Sequence, residues 1–288
     1  MTATSSTGSD GFRLALGTLT ILPTAPPTKV DRDVGARAMV LAPLVGGLLA
    51  VVAGLLLWLL GTGSSVNQPA LPGSPIAGQT FGLDTNPFLS AALVVGLLAV
   101  LTRAMHLDGL ADTVDGISSG KPAAEALDVM RRGDVGPFGV VTLVLALLLQ
   151  VLALGVLVGA GMGPHAIFLA LVVSRLALPL ACLPGIPPAR ADGLGHVVAG
   201  TVTRGQAVLS GVLAVVVLLL LSLVSPGVDA WTQVVLFRAV VVAIVGLLAG
   251  WLLVHRAVRR LGGVTGDVLG AAVEVTFTTV LVVLTLTL

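Results

Sequence analysis

Long apolar runs separated by short polar segments recur along the chain from residue 39 to its end. Seven runs reach, or nearly reach, the roughly 20 helical residues that span a hydrocarbon core. They cover 39–60, 88–104, 137–158, 167–183, 207–224, 234–254 and 268–288, and the second and fourth are expected to extend further. The pattern predicts an all-α, polytopic membrane bundle of about seven transmembrane helices, with residues 1–288 forming a single domain. Residues 11–22 are moderately apolar with one basic residue, Arg13, and are expected to lie in the membrane interface as a helix. Residues 1–10 are small and polar, are expected to be disordered, and lack the pattern of a cleaved signal peptide. The gap 61–87 is rich in Gly, Pro and Ser and reads as a flexible external loop. No internal repeat is convincing, so an inverted-repeat transporter is not suggested.

The basic residues fall into an alternating pattern. Arg13, Lys29, Arg32 and Arg37 precede the first span; Arg103, Lys121, Arg131 and Arg132 lie between the second and third. Arg190 and Arg204 lie between the fourth and fifth, and Arg256, Arg259 and Arg260 between the sixth and seventh. The three remaining gaps hold no Lys or Arg. By the positive-inside rule the N-terminus is cytoplasmic and the C-terminus external, the inversion that seven spans require. Trp58 and Trp231 fall at expected outer interfaces and Trp251 near an inner one, as in an aromatic belt.

Composition supports the same class. The chain is 56% hydrophobic and 10% charged, with a mean hydropathy of +1.08. A soluble domain is typically about 25% charged, so lipid must be the solvent here. A net charge of +1, few aromatic residues and no Tyr argue against a nucleic-acid partner. The single cysteine, Cys182, lies in an apolar run and excludes an intrachain disulfide.

One polar segment is unusually acidic for so apolar a chain. Asp108, Asp112 and Asp115 are spaced i, i+4, i+7, which on a helix places them in one narrow stripe. Three such carboxylates repel one another and raise each other's pKa. A divalent cation removes that penalty, and magnesium is commonly shared between carboxylates and substrate phosphates. Gly109 and Gly116 beside the stripe would let a diphosphate approach the backbone. Arg131 and Arg132, followed by Asp134, suggest phosphate clamping, because the guanidinium fork matches phosphate oxygens. Alternatively, the stripe is a solvated helix face and the arginines are membrane anchors.

Other polar residues stand at awkward depths. Arg175 lies within the fourth run, where a central charge costs roughly 3 kcal/mol. Asp267 and Glu274 share an i, i+7 stripe on the last span, with Glu274 well into the bilayer, paired with Arg175, protonated or facing a polar cavity. The glycine-rich entry around Thr265 leaves backbone N–H groups available to an anion at a helix start. Arg190 and Asp192 lie in a third polar segment. His106 flanks the acidic stripe but points roughly opposite to Asp108; the other histidines are scattered.

The chain resembles the cobalamin synthase family of membrane ribazoletransferases. The matching pieces are Arg103-Ala-Met-His-Leu-Asp-Gly-Leu-Ala-Asp-Thr-Val-Asp-Gly116, Met130-Arg-Arg-Gly-Asp-Val-Gly136, Pro187-Pro-Ala-Arg-Ala-Asp-Gly-Leu-Gly195 and Leu261-Gly-Gly-Val-Thr-Gly-Asp-Val-Leu-Gly-Ala-Ala-Val-Glu274. The likeness runs from about residue 12 to the end; Phe277 departs from it, standing where an acidic residue is expected. The resemblance implies transfer between adenosylcobinamide-GDP and α-ribazole or its 5′-phosphate, the nucleotide-loop step of cobalamin synthesis. A ribazole hydroxyl attacks the phosphorus attached to cobinamide and GMP leaves. It implies Mg2+ held by Asp108, Asp112 and Asp115, with His106 and these carboxylates catalytic. Arg131, Arg132, Asp134, Arg190, Thr265, Asp267 and Glu274 are the expected substrate or phosphate contacts. It also implies the bacterial cytoplasmic (inner) membrane, with the active site facing the cytoplasm; a homo-oligomer is compatible. A phosphotransferase acting on CDP-activated alcohols fits the later motifs less well. A proton-coupled transporter would keep its ionisable residues near the midplane, whereas most here lie in the polar segments.

Overall fold

The computed structural model describes residues 4–61, 85–224 and 232–288, without side-chain detail at 4–8, 221–224 and 232–237. It is all-helical over these residues: α1 (Thr4–Leu19), α2 (Arg32–Leu59), α3 (Pro87–Leu101), α4 (Met105–Ser118), α5 (Ala123–Arg131), α6 (Pro137–Gly159), α7 (Gly163–Ala181), α8 (Gly193–Val198), α9 (Arg204–Val224), α10 (Thr232–Leu261) and α11 (Gly266–Thr285). Each of the seven apolar runs falls mainly on one of these helices, but the second, expected to extend beyond 88–104, stops at Leu101 because the chain bends at Arg103 and Ala104. Among the described residues, five are long and apolar enough to cross a membrane, namely α2, α6, α7, α10 from Arg238, and α11. The count rises to six if α3 and α4 form one broken span. α3 alone is 15 residues, about 22 Å at helical rise against a core of about 30 Å. The apolar part of α9 is the shorter helix Arg204–Leu220.

Local sequence sets the helix starts. Asp31 caps α2 by accepting from Val34 N at 2.9 Å, and Asn86 caps α3 ahead of Pro87. At the N-terminus, Thr4–Asp10 belong to α1. Asp10 is 1% exposed, accepts from the backbone and hydroxyl of Thr28, and pairs with Arg13 at 3.6 Å. That anchoring is long-range, so the composition of 1–10 does not announce it. Most of the gap 61–87, and Trp231, lie outside the described residues. Trp58 and Trp251 are both exposed.

α2, α7 and α11 form the interior, whereas α6 and α10 turn most of their length outward. Within the spanning windows α7 is 72% buried and α10 only 22%. α2 and α7 meet at near-backbone distance at Gly46, where a Cβ would stand 2.5 Å from the Leu171 carbonyl oxygen. Two core clusters stack along the bundle. One joins the start of α2, the ends of α7 and α10 and the start of α11 to α1, α5 and α8. The other joins the opposite halves of α2, α7 and α11 to α3 and α6. The four polar segments carrying basic residues therefore gather at one end.

The chain turns sharply at that end. α3 and α4 meet at 86° across Arg103 and Ala104, at φ 55° and 51°. A non-glycine residue in this left-handed region costs roughly 1–2 kcal/mol. Arg103 offsets that cost by donating to the Gly17 and Thr20 carbonyls at 2.6 and 3.2 Å, which ties the bend to the end of α1. The bend lays α4 across the ends of α6 and α11 instead of continuing the α3 span.

Candidate functional site

Glycines bring α4 and α11 to backbone contact. A Cβ on Gly109 would lie 2.7 Å from the Asp267 carbonyl oxygen, and one on Gly270 would lie 3.2 Å from the His106 Cα. Gly116 makes room for Met130 of α5. These two α4 glycines were expected to expose backbone to a diphosphate; they serve helix contact instead. The crossing sets Asp108 and Asp112 of α4 beside Asp267 in the first turn of α11.

Arg190 reaches the same place through a short backbone pairing. Ala189 N–H donates to the Val264 carbonyl at 3.0 Å, and Val264 N–H donates to the Pro187 carbonyl at 2.9 Å. The Arg190 Nη1 then lies 3.8 Å from Asp267 Oδ2, while Nη2 donates to the Leu127 carbonyl at 2.7 Å. Thr265 caps α11, its hydroxyl accepting from Val268 N–H at 3.2 Å and donating to Asp267 Oδ2 at 3.1 Å. The Asp112 carboxyl is pushed up to about 6, first by burial and then by Asp108, Asp267 and Asp115, against a weaker opposing pull from Arg190. Asp108 is exposed and Asp112 half-buried.

The three-aspartate stripe divides in space. Asp115 is 7% exposed and turns to the start of α6. Its Oδ2 accepts from Gly136 N–H at 2.7 Å and its Oδ1 from Gly139 N–H at 2.9 Å. It thereby caps a helix whose own N-cap, Gly136, has no side chain to do so. Arg131 forms an exposed ion pair with Asp192 at 2.7 Å, and Arg132 and Asp134 are exposed on the turn into α6. Among the described contacts, Arg190 is the expected clamp that touches a carboxylate of the α4–α11 cluster.

Glu274 lies seven residues beyond Asp267, about 10 Å along α11. Gln150 Nε2 donates to Glu274 Oε2 at 2.8 Å and to Thr278 Oγ1 at 2.9 Å. Arg175, Gln150, Glu274 and Phe277 line one small cavity. His106 is 2% exposed on the inward face of α4, and neither ring nitrogen has a hydrogen-bond partner. Burial first, then Arg175, disfavours its imidazolium and lowers its pKa to about 3. Sequence reasoning did not single out Gln150; its only signal was a lone amide in the apolar run 137–158.

Among the described residues, no three His, Cys, Asp or Glu side chains form a group that could hold a metal ion by themselves. The donor chemistry nonetheless fits magnesium. Asp108, Asp112 and Asp267 are oxygen donors crowded against a single arginine, and magnesium needs only one or two protein carboxylates when substrate phosphates complete its shell.

Comparison with known proteins agrees over nearly the whole chain. The family model described as cobalamin-5-phosphate synthase matches residues 11–285. An adenosylcobinamide-GDP ribazoletransferase of Nocardioides sp. is 40% identical over 266 residues, covering 92% of this chain and 93% of that protein. Proteins of the same description from Frankia casuarinae and Pseudomonas putida are 38% and 39% identical, covering 96% and 91% of this chain and 94% and 93% of theirs. No solved structure matches the chain.

Proposed function

The chain belongs to the cobalamin-5-phosphate synthase family, and on that premise we propose how its residues carry the reaction. It is an integral membrane helical enzyme with adenosylcobinamide-GDP ribazoletransferase activity, in the nucleotide-loop assembly of cobalamin. The substrates are adenosylcobinamide-GDP and α-ribazole or its 5′-phosphate. The observation that carries the site is the meeting of Asp108 and Asp112 with Asp267 and Arg190 at the α4–α11 crossing.

The diphosphate binds over this crossing. Arg190 donates to its oxygens from a guanidinium already oriented by Leu127, and Thr265 keeps Asp267 in place. Asp108 and Asp112 would hold Mg2+ against the diphosphate, and magnesium when bound neutralises charge there. Arg131 and Arg132, on the same end, meet the outlying part of the nucleotide, and Asp134 orients that turn. Asp115 contributes by fixing α4 to α6. A ribazole hydroxyl forms a bond to the phosphorus attached to cobinamide. The bond from that phosphorus to the bridging oxygen breaks, GMP leaves with that oxygen, and the hydroxyl proton passes to a carboxylate of the cluster. Proximity and preorganised charge supply the acceleration. His106, facing inward, supports α4 from behind. The active site faces the cytoplasm, the N-terminus is cytoplasmic and the C-terminus external.

The test is GMP release by the enzyme in lipid nanodiscs with adenosylcobinamide-GDP, α-ribazole 5′-phosphate and magnesium. Release should require all three. Release of CMP from a CDP-alcohol, without GMP release from the corrinoid, would overturn the reading.

A further inference from the structure

Behind the acidic site, a second polar cluster lies among the spanning helices. A cavity of about 20 Å³ is lined by Thr102 of the α3 cap, Leu107 of α4, Gln150 of α6, Arg175 of α7, and Glu274 and Phe277 of α11. Arg175 is 3% exposed. Its Nη1 donates to Ser174 at 2.9 Å, whereas its Nε is buried without a hydrogen-bond partner. The carboxylate facing it across the cavity is Glu274, held by Gln150 at 2.8 Å, and no direct ion pair joins the two among the described contacts. The cavity is large enough for one water molecule, and Arg175, Glu274, Gln150 and Thr102 offer the polar partners such a water requires.

Both helices that carry the site's aspartates, α4 and α11, line this cluster. Glu274 is on the helix that begins with Asp267. Leu107, which lines the cavity, precedes Asp108 directly. His106 lies within electrostatic reach of Arg175 and packs its backbone on Gly270 of α11. Removing one member of a buried charge pair leaves the other uncompensated, while removing both need not.

We propose that Arg175 and Glu274, facing each other across the cavity with Gln150 holding Glu274, are a positioning pair that sets α11 against α4 and so fixes Asp267 relative to Asp108 and Asp112. This rests on the reading of those aspartates as the reacting site. It reassigns Glu274 from a phosphate contact to a support acting from within the bundle.

The experiment is a double-mutant cycle, Arg175→Gln, Glu274→Gln and both together, in nanodisc-reconstituted enzyme, with GMP release and thermal unfolding both measured. Each single variant is expected to lower kcat at least tenfold, with KM for adenosylcobinamide-GDP within about twofold of the unaltered enzyme. The double variant should recover much of both kcat and unfolding temperature, and Arg175→Lys should retain more kcat than Arg175→Gln. A KM rise in Glu274→Gln that the second substitution does not reverse would make Glu274 a substrate contact and overturn the proposal. Losses that simply multiply would overturn it too. Absence of GMP release from the unaltered enzyme would defeat the functional reading instead, and the unfolding cycle would still report whether the pair is coupled.

Discussion

Asp112 and Asp115 are three positions apart on one helix, yet their surroundings differ, and in the proposed site so do their roles. The two oxygens of Asp115 are taken by N–H groups that begin α6. Charge at a helix N-terminus is favourable, and loss of a capping side chain costs about 1–2 kcal/mol. Asp112 is half-buried among carboxylates, and its pKa is raised to about 6. A raised carboxyl pKa means that ionisation opposes folding: without metal, its contribution to stability is full below the ordinary value of 3.8 and is lost as pH rises through about 6. Asp112→Asn should therefore leave the metal-free protein at least as stable near neutral pH, while lowering turnover about 100-fold or more at limiting magnesium. Asp115→Asn should do the reverse, lowering the unfolding temperature with an unchanged magnesium requirement. Thermal unfolding and magnesium titration of GMP release on both variants check the pair. A magnesium requirement raised equally in both would restore Asp115 as a ligand.

At the scale of elements, the decisive feature is the α4–α11 crossing. Gly109→Ala would place a methyl 2.7 Å from the Asp267 carbonyl oxygen, so one helix must shift, at an overpacking cost of about 1–3 kcal/mol. Turnover should fall at least tenfold with helix content retained by circular dichroism. Gly96→Ala on α3, where a Cβ would meet nothing within 4 Å, should be unchanged, and an equal loss in both would remove the crossing from the mechanism. The sequence made the helices themselves legible, because apolar length in lipid leaves little alternative to helix. It also made Asp108, Asp112, Arg190 and Asp267 legible as polar residues collected in a few segments. The 86° bend was hidden, since Arg103 and Ala104 occupy a backbone region that side chains other than glycine's rarely adopt. The division of the stripe was hidden as well. Helical spacing reports which side chains share a face, but not that the start of α6 comes up to meet Asp115. Gly109 and Gly116 were visible, but whether a glycine admits a ligand or another helix depends on long-range packing.

For the whole molecule, sidedness joins the two levels. The start of α2, the ends of α7 and α10 and the start of α11 share one core cluster with α1, α5 and α8, and Arg103, Arg131, Arg190 and Arg260 all make contacts at that end. The same end holds Asp108, Asp112 and Asp267. Packing alone fixes only which segments share a side; in the proposed topology the surplus of Lys and Arg selects the cytoplasmic side, as the positive-inside rule expects. α3 is short for a full crossing, so in the proposed topology local thinning of the bilayer or the flanking residues would make up the difference. Fluorescent-protein and alkaline phosphatase fusions give the check. After Gly120 and Gly193, which lie in the basic segments, the fluorescent protein should be active and the phosphatase silent. After Gly61 and Gly161, at the ends of α2 and α6 away from the acidic site, the phosphatase should be active instead. Phosphatase activity after Gly120 would put the aspartates outside and invert the topology, whereas a cytoplasmic signal after Gly161 would mean that α6 and α7 form a hairpin that does not cross.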